Sequence, residues 1–402
     1  MRVTPSREGL TASSLLALTT GMTLGNVGGN LMPLLLAGFM ERFHLSATTA
    51  GLVAAVQLLA TALVALTLSS RAARPGRVRL ARIGLAIAIV GFACAWVAPS
   101  VEILFGANTV IGAGLGATIA AASAALSSAP SVDRATTYTL LFTTLVIAAL
   151  VLAIPLANHL SNGTGGFALL GICCVIGLVL VNALPEAPID HHEAKGPPLS
   201  WIFVAAVALF GISEQGLWSY AEVLGRTGAG LGAAAVAAVL GVAAIAALLG
   251  VPLAALSRRA CGAHIALACF LTLSAAAKVT ASISHIPIVF AVACVIWQIC
   301  YLATLVLTLA ATGNFDPSGR WVAASAGALA LGTGIGPAII GVTLDHLGST
   351  GLAIGIVFAV ALAAIPLLRV AASPNPRTAD NSDAEFRSAG GTAEVDTMPG
   401  PK

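Results

Sequence analysis

The sequence predicts an all-α polytopic membrane protein with twelve transmembrane helices in two pseudo-symmetric six-helix bundles. Three observations carry this expectation. Of 402 residues, 58% are hydrophobic and only 9% are Asp, Glu, Lys or Arg, against about 25% charged in a soluble domain. So few charges cannot coat a folded surface in water, which excludes a soluble enzyme or binding module. The apolar residues fall into runs near the ~20 residues that a bilayer crossing needs. Finally, 16 of the 19 Lys and Arg residues fall on one side when those runs alternate in direction.

The runs, in order, are 12–38, 47–69, 80–98, 101–128, 136–157 and 164–184, then 200–223, 230–256, 263–283, 286–312, 321–344 and 350–371. Each is read as a helix, because lipid offers no partner to a free backbone N–H or C=O. They are about twice as long as the strands of a membrane barrel. The first run follows Arg2 and Arg7 and ends in no A-x-A-like cleavage site, so it reads as an uncleaved span. The expected domains are an N-terminal bundle (1–184), a Pro-rich linker (185–199), a C-terminal bundle (200–371) and a polar, disordered tail (372–402).

With the N-terminus in the cytoplasm, the sixteen basic residues on that side face only Arg42 and Arg226 outside, with Lys278 left within a span. The positive-inside bias therefore puts both termini in the cytoplasm and supports an even number of spans. The expected location is the inner (cytoplasmic) membrane, crossed many times.

The two bundles match in size, and a local pattern repeats. A basic turn follows the second helix of each (RAARPGR at 71–77, SRRACG at 257–262), and an acidic–basic turn follows the fourth (Asp133-Arg134 and Asp316 to Arg320). Pro155 and Pro337 lie in the fifth helix of each. A six-helix unit used twice is the sequence sign of a transporter.

Over residues 12–371 the chain resembles the major facilitator superfamily. The family motif G-x-x-x-D-R-x-G-R-R after helix 2 reads S-S-R-A-A-R-P-G-R-V here, where Arg74, Gly76 and Arg77 match, while Ser69 and Ala73 replace its Gly and Asp. A relative of its G-x-x-x-G-P-x-x-G-G motif lies in helix 11 as Gly332, Gly334, Gly336, Pro337 and Gly341, whereas the family carries it in helix 5. Small residues four apart let helices approach closely, so this run reads as a packing hinge between halves. The family's helix 4 arginine is replaced by Asn108. The resemblance implies alternating access around a central cavity lined by helices 1, 4, 7 and 10.

Helix 7 contains GISEQGLWSYAE. Glu214 lies about fourteen residues into the span, where a charge costs about 2.5–3.5 kcal/mol on insertion scales. Glu214 must be protonated, paired or facing a wet cavity, and a carboxyl in apolar surroundings can exchange protons near neutral pH. It is the leading candidate for proton coupling or for binding a cationic group. Trp218 and Glu222 follow at four-residue steps on the same face, with Glu222 about 12 Å further out at the outer interface. Lys278 is expected to snorkel to that interface from a peripheral helix 9, or to pair with Glu222 or another outer acid. Glu214 is then the only charge left at mid-span.

Trp297, Gln298 and Tyr301 in helix 10 offer stacking surface and an amide to a small organic solute. Asn26 and Asn30 lie one turn apart in helix 1 before Pro33, and Gln57 and Asn108 extend the polar set. No metal site is expected: Asp190, His191, His192 and Glu193 read as a solvated linker, and the seven cysteines form no zinc-type or disulfide framework. No cofactor is expected, no P-loop is present, and the dispersed basic residues suggest no nucleic-acid partner. The expected function is secondary active transport of a small neutral or cationic organic solute, coupled to protons, by a monomer. Uptake and drug-type efflux are both compatible with it. The alternative is a non-transporting sensor or membrane-embedded enzyme, but no catalytic constellation converges.

Overall fold

The computed structural model describes residues 10–161, 164–187, 198–316 and 318–373. Among them every regular element is helical. The most N-terminal residues, most of the expected linker with its Asp190–Glu193 cluster, and the expected tail from 374 lie outside the described residues.

The first six spans are α1 (Ala12–Asn30) with α2 (Met32–Phe43), α3 (Ala47–Ala72), α4 (Arg77–Val97), α5 (Val101–Ser127), α6 (Val132–Leu160) and α7 (Gly165–Leu180). The next are α8 (Trp201–Ser219) with α9 (Ala221–Thr227), then α10 (Ala233–Ala246) joined by a 3-10 turn to α11 (Gly250–Cys261), α12 (Ala263–Ile283) and α13 (Pro287–Phe315). The last two run together as α14 (Arg320–Ala371), divided at Gly348. Gly348 has φ 64° and ψ −170°, a conformation that only glycine adopts without strain, and it falls between the two expected final spans. Ten of these segments have the length and hydropathy to cross a bilayer. Joining α1 to α2 and dividing α14 at Gly348 brings the crossings to twelve.

Local sequence sets the boundaries. Ser46 and Ser200 cap α3 and α8 by accepting from the N–H groups of Thr49 and Phe203, and Pro287 opens α13 where a missing N–H is harmless. Small residues set the spacing. An added Cβ on Gly84 would lie 2.6 Å from Gly114 O, and one on Gly216 would lie 2.7 Å from Gly336 O. Without a hydrophobic force between helices in lipid, such close backbone packing holds them together.

Helices α1 to α7 pack into one bundle and α8 to α14 into another; α3 against α14 and α6 against α10 form the main seams between them. Alternation places the turns α3–α4, α5–α6, α11–α12 and α13–α14 at one end of the molecule, which also holds the exposed arginines 71, 74, 79, 258, 259 and 369. This end is called the basic face below. The turns after α2 and α9 and the kink at Gly348 lie at the opposite face.

Candidate functional site

The first helix of each bundle is interrupted at the same point. The 19-residue α1 ends at Leu31 (φ −99°, ψ 3°) and the 19-residue α8 ends at Tyr220 (φ −101°, ψ 4°). In the first bundle Pro33 is the cause. It has no N–H to donate to the Gly29 carbonyl one turn back. That carbonyl instead accepts from Gln215 Nε2 of α8 at 2.7 Å. The Leu34 N–H turns to Leu31 O at 3.1 Å, and the Asn30 carbonyl accepts from Trp218 Nε1 at 3.2 Å. The break in one bundle is thus satisfied by side chains of the other.

Further ties join the bundles towards the opposite face. Tyr220 is fully buried, and its hydroxyl reaches Ala47 O of α3 at 2.6 Å and Pro337 O of α14 at 3.2 Å. Asp345 of α14 caps α3, accepting from the N–H groups of Ala47 (3.2 Å) and Thr48 (2.7 Å). Arg226 of α9 pairs with Glu41 of α2 and lies 3.7 Å from Glu222. Every hydrogen bond and ion pair joining the bundles between described residues lies from mid-depth to this face. The polar ties between the bundles gather there.

Beneath these ties lies a buried polar cluster. Glu214 is 5% exposed and Lys278 of α12 is 0% exposed. Lys278 Nζ donates to Glu214 Oε1 and, at 3.3 Å, to Ser213 Oγ. Ser274 Oγ donates to Glu214 Oε1 at 3.4 Å, and Trp297 Nε1 of α13 donates to Oε2 at 2.5 Å. Trp297 meets Trp218 edge-on, with ring centroids 5.7 Å apart. A continuous line of contacts therefore runs from Lys278 through Glu214, Trp297 and Trp218 to Asn30 of the other bundle.

The expectation that Lys278 snorkels to the interface, leaving Glu214 the only mid-span charge, is corrected here. Glu214 in 201–219 and Lys278 in 263–283 sit at matching depth on helices that run the same way. α12 directs Lys278 into the interior of its bundle, and Glu214 supplies the counter-charge that a buried ammonium requires. The partner of Lys278 is Glu214, not Glu222. Glu222 itself is 4% exposed, beyond the Tyr220 break on α9, with Oε2 unpartnered.

Among the other predicted residues, Gln298 and Tyr301 are half-buried on α13, and Tyr301 stacks on Phe210 at 6.1 Å. Asn26 is half-buried and Asn30 exposed; each donates its side-chain N–H one turn back within α1. Gln57 and Asn108 are fully buried in the first bundle, away from Glu214 in sequence and bundle alike. Both amide atoms of Gln57 and Asn108 Oδ1 have no partner.

In the predicted glycine run, Gly332 and Gly336 pack on α8 within their own bundle, at Ala208 and Gly216. Gly334 and Gly341 meet α3 of the other bundle at Leu59 and Ala47. Tyr220 was not singled out from the sequence. Its signal was the missing side chains at Gly51 and Gly341, where a Cβ would overlap the phenol oxygen.

At the basic face, Arg77 is fully buried and donates to the carbonyls of Ala72, Ala73, Pro185 and Ala187 and to Ser128 Oγ, at 2.7–3.1 Å. Gly76 (φ 104°) precedes α4, and its N–H and that of Val78 donate to Glu186 at 2.9 and 3.0 Å. These bonds hold the Glu186 carboxyl below its ordinary range, Val78 contributing most. An acid from the start of the linker thus stands at the loop whose own sequence has Ala73. Arg74 is exposed there. No grouping of His, Cys, Asp and Glu among the described residues could hold a metal.

Among curated proteins, none significantly matches the chain in sequence. Solved structures similar to it include the nucleoside transporter NupG (12% identity, TM-score 0.69, covering 90% of this chain and 100% of that one). Others are the peptide transporter POT in complex with sulfate (14%, 0.71, 91% and 96%) and a bacterial homolog of the human lysosomal transporter Spinster (16%, 0.64, 89% and 95%). At such identities the likeness speaks for the fold alone. The sequence matches the Major Facilitator Superfamily over residues 14–315, about three quarters of the chain and both bundles, so this chain belongs to that family.

Proposed function

We propose that the chain is a proton-coupled secondary active transporter of a small organic solute, working by alternating access. The observation that carries this reading is the line of contacts from the buried Glu214–Lys278 pair through Trp297 and Trp218 to Asn30, across the seam between the bundles. A proton on Glu214 removes the charge that holds Lys278 and weakens the bond from Trp297. The Trp218 ring then loses its support, and the seal at Asn30 and Gly29 loosens. The bundles rock, and the solute site changes sides.

Paired with Lys278, Glu214 presents no net charge to a solute. A neutral solute meets half-buried polar groups at Asn26, Gln298 and Tyr301; a cationic one binds by replacing Lys278 at Glu214. Gln57 and Asn108 offer further amide atoms, unpartnered in the sealed state. The positive-inside rule supports a cytoplasmic basic face, and so a state sealed to the outside, with both termini in the cytoplasm and the inner membrane as location. The equal length of the bundles supports domains of 1–184 and 200–371 joined by the segment 185–199. A complete pair of bundles supports a monomer as the working unit.

The test is flux into proteoliposomes with an imposed pH gradient, screening neutral and cationic solutes. The wild type accumulates its solute in response to the gradient, and Glu214→Gln does not. Gradient-driven accumulation unchanged in Glu214→Gln refutes the coupling role of that residue.

A further inference from the structure

A groove of 380 Å³ lies at the basic face between the start of α12 and the end of α14, lined by His264, Ile265, Ala268, Cys269, Leu368 and Arg369. Its two ends differ in chemistry. One is basic: Arg369 and His264 are exposed in it, and Arg258 and Arg259 stand one turn before α12. None of these four makes an ion pair among the described residues, and no carboxylate lines the groove. The start of α12 faces the same end. Its N-cap is Gly262, which has no side chain to take up the first N–H groups, and an open helix N-terminus attracts an anion. The other end is apolar. Ile265 is 45% exposed, and the surface continues along α14 through Ile365 (52%) and Leu362 (61%). These residues lie on membrane-spanning helices and point away from the bundle, so the solvent they meet is hydrocarbon.

A soluble anion fits only the first end and a neutral lipid only the second. We propose that this groove binds an anionic phospholipid, its phosphate held by Arg369, His264 and the open N-terminus of α12, and its acyl chain laid along Ile265, Ile365 and Leu362. Charge complementarity selects the headgroup, and the apolar track selects a lipid over a free phosphate. Basic pockets between spanning helices at a membrane surface recognise anionic headgroups in this way. The bound lipid ties α12, which carries Lys278, to the end of α14, and so sits outside the solute path.

The experiment is native mass spectrometry of the delipidated full-length protein, titrated with phosphatidylglycerol and with phosphatidylcholine of matched chains. The wild type retains phosphatidylglycerol preferentially. Arg369→Gln lowers that preference about fivefold, the worth of one basic residue at an anionic surface. His264→Gln lowers it in the same direction, and Arg79→Gln, on exposed α4 of the other bundle, leaves it unchanged. Thermal unfolding in detergent checks that each variant is folded. Three results overturn the proposal. One is equal retention of the two lipids by the wild type, or retention unaffected by Arg369→Gln and His264→Gln. Another is displacement of phosphatidylglycerol by millimolar inorganic phosphate, which marks a soluble-anion site. The third is increased lipid retention in the full chain carrying Asp380→Asn, Asp383→Asn and Glu385→Gln, which marks the protein's own acidic tail as the occupant.

Discussion

Leu31 and Tyr220 hold equivalent places in the two bundles and share the same backbone conformation, within 2° in φ and 1° in ψ. Each interrupts the first helix of its bundle after 19 residues. Only one break has a proline behind it. The other is held from outside, by the bonds that the Tyr220 hydroxyl makes to α3 and α14.

Tyr220→Phe removes those two bonds and leaves the carbonyls of Ala47 and Pro337 without them. The expected cost to the sealed state is about 0.5–1.5 kcal/mol, the net worth of a hydrogen bond from the single phenol proton, since both carbonyls keep their helical donors. A cysteine placed at Thr227, in a background without the native seven, reports it: labelling by a membrane-impermeant thiol reagent rises in the variant.

The glycines around that phenol give the converse test. A Cβ at Gly51 overlaps both Tyr220 Oη and Pro337 O, and one at Gly341 overlaps Tyr220 Oη and lies close to Ala47 C=O. The obstructing atoms are mostly backbone, which cannot turn aside. Gly51→Ala therefore keeps α3 and α14 apart and favours the unsealed state, measured as a longer mean distance between spin labels at His44 and Thr227.

Charge balance in the buried cluster predicts a non-additive pattern. Glu214→Gln strands the Lys278 ammonium in a dry site, and Lys278→Met strands the carboxylate. Each costs about 3–5 kcal/mol, whereas the double variant, with no charge left to bury, recovers most of that loss. Thermal unfolding of the four proteins in one detergent measures the coupling; additive losses contradict the pairing.

The ion group at the opposite face separates an exposed pair from a buried one. Glu41 is 58% exposed in its side chain, so Glu41→Gln costs about 0.2–1 kcal/mol and less at high salt. Arg226→Gln also leaves Glu222, with 5% side-chain exposure, without its cation. It destabilises more, and added salt does not erase the difference. Denaturation at two ionic strengths distinguishes them.

The fold was legible because a bilayer imposes it residue by residue. Run length set the crossings, and the basic residues set their alternation. Even the division of α14 at Gly348 fell where the apolar pattern lapsed. The lateral neighbours of each helix leave no such trace. Glu214 stood out because its position is costly, but its partner did not, since run lengths do not say that side chains of α12 reach across to α8. Depth was the overlooked clue: Glu214 and Lys278 lie equally far along parallel helices, and two opposite charges at one depth have reason to meet. Glu222 was expected at the surface because helical rise was extended straight through Tyr220. The break there, which lacks a proline, turns the next segment against α2 and buries it. Tyr220 was not singled out, and only the bare glycines opposite it record its role.

The central claim is that the charge state of Glu214 governs the seal between the bundles through Trp297 and Trp218. The most direct measurement is the distance between spin labels at His44 and Thr227 in lipid nanodiscs, comparing Glu214→Gln with the otherwise identical parent. The account predicts that the neutral side chain lengthens the mean distance, and that Trp218→Phe, which removes the bond to Asn30, moves it the same way. Distance distributions for Glu214→Gln that superimpose on the parent's would contradict it.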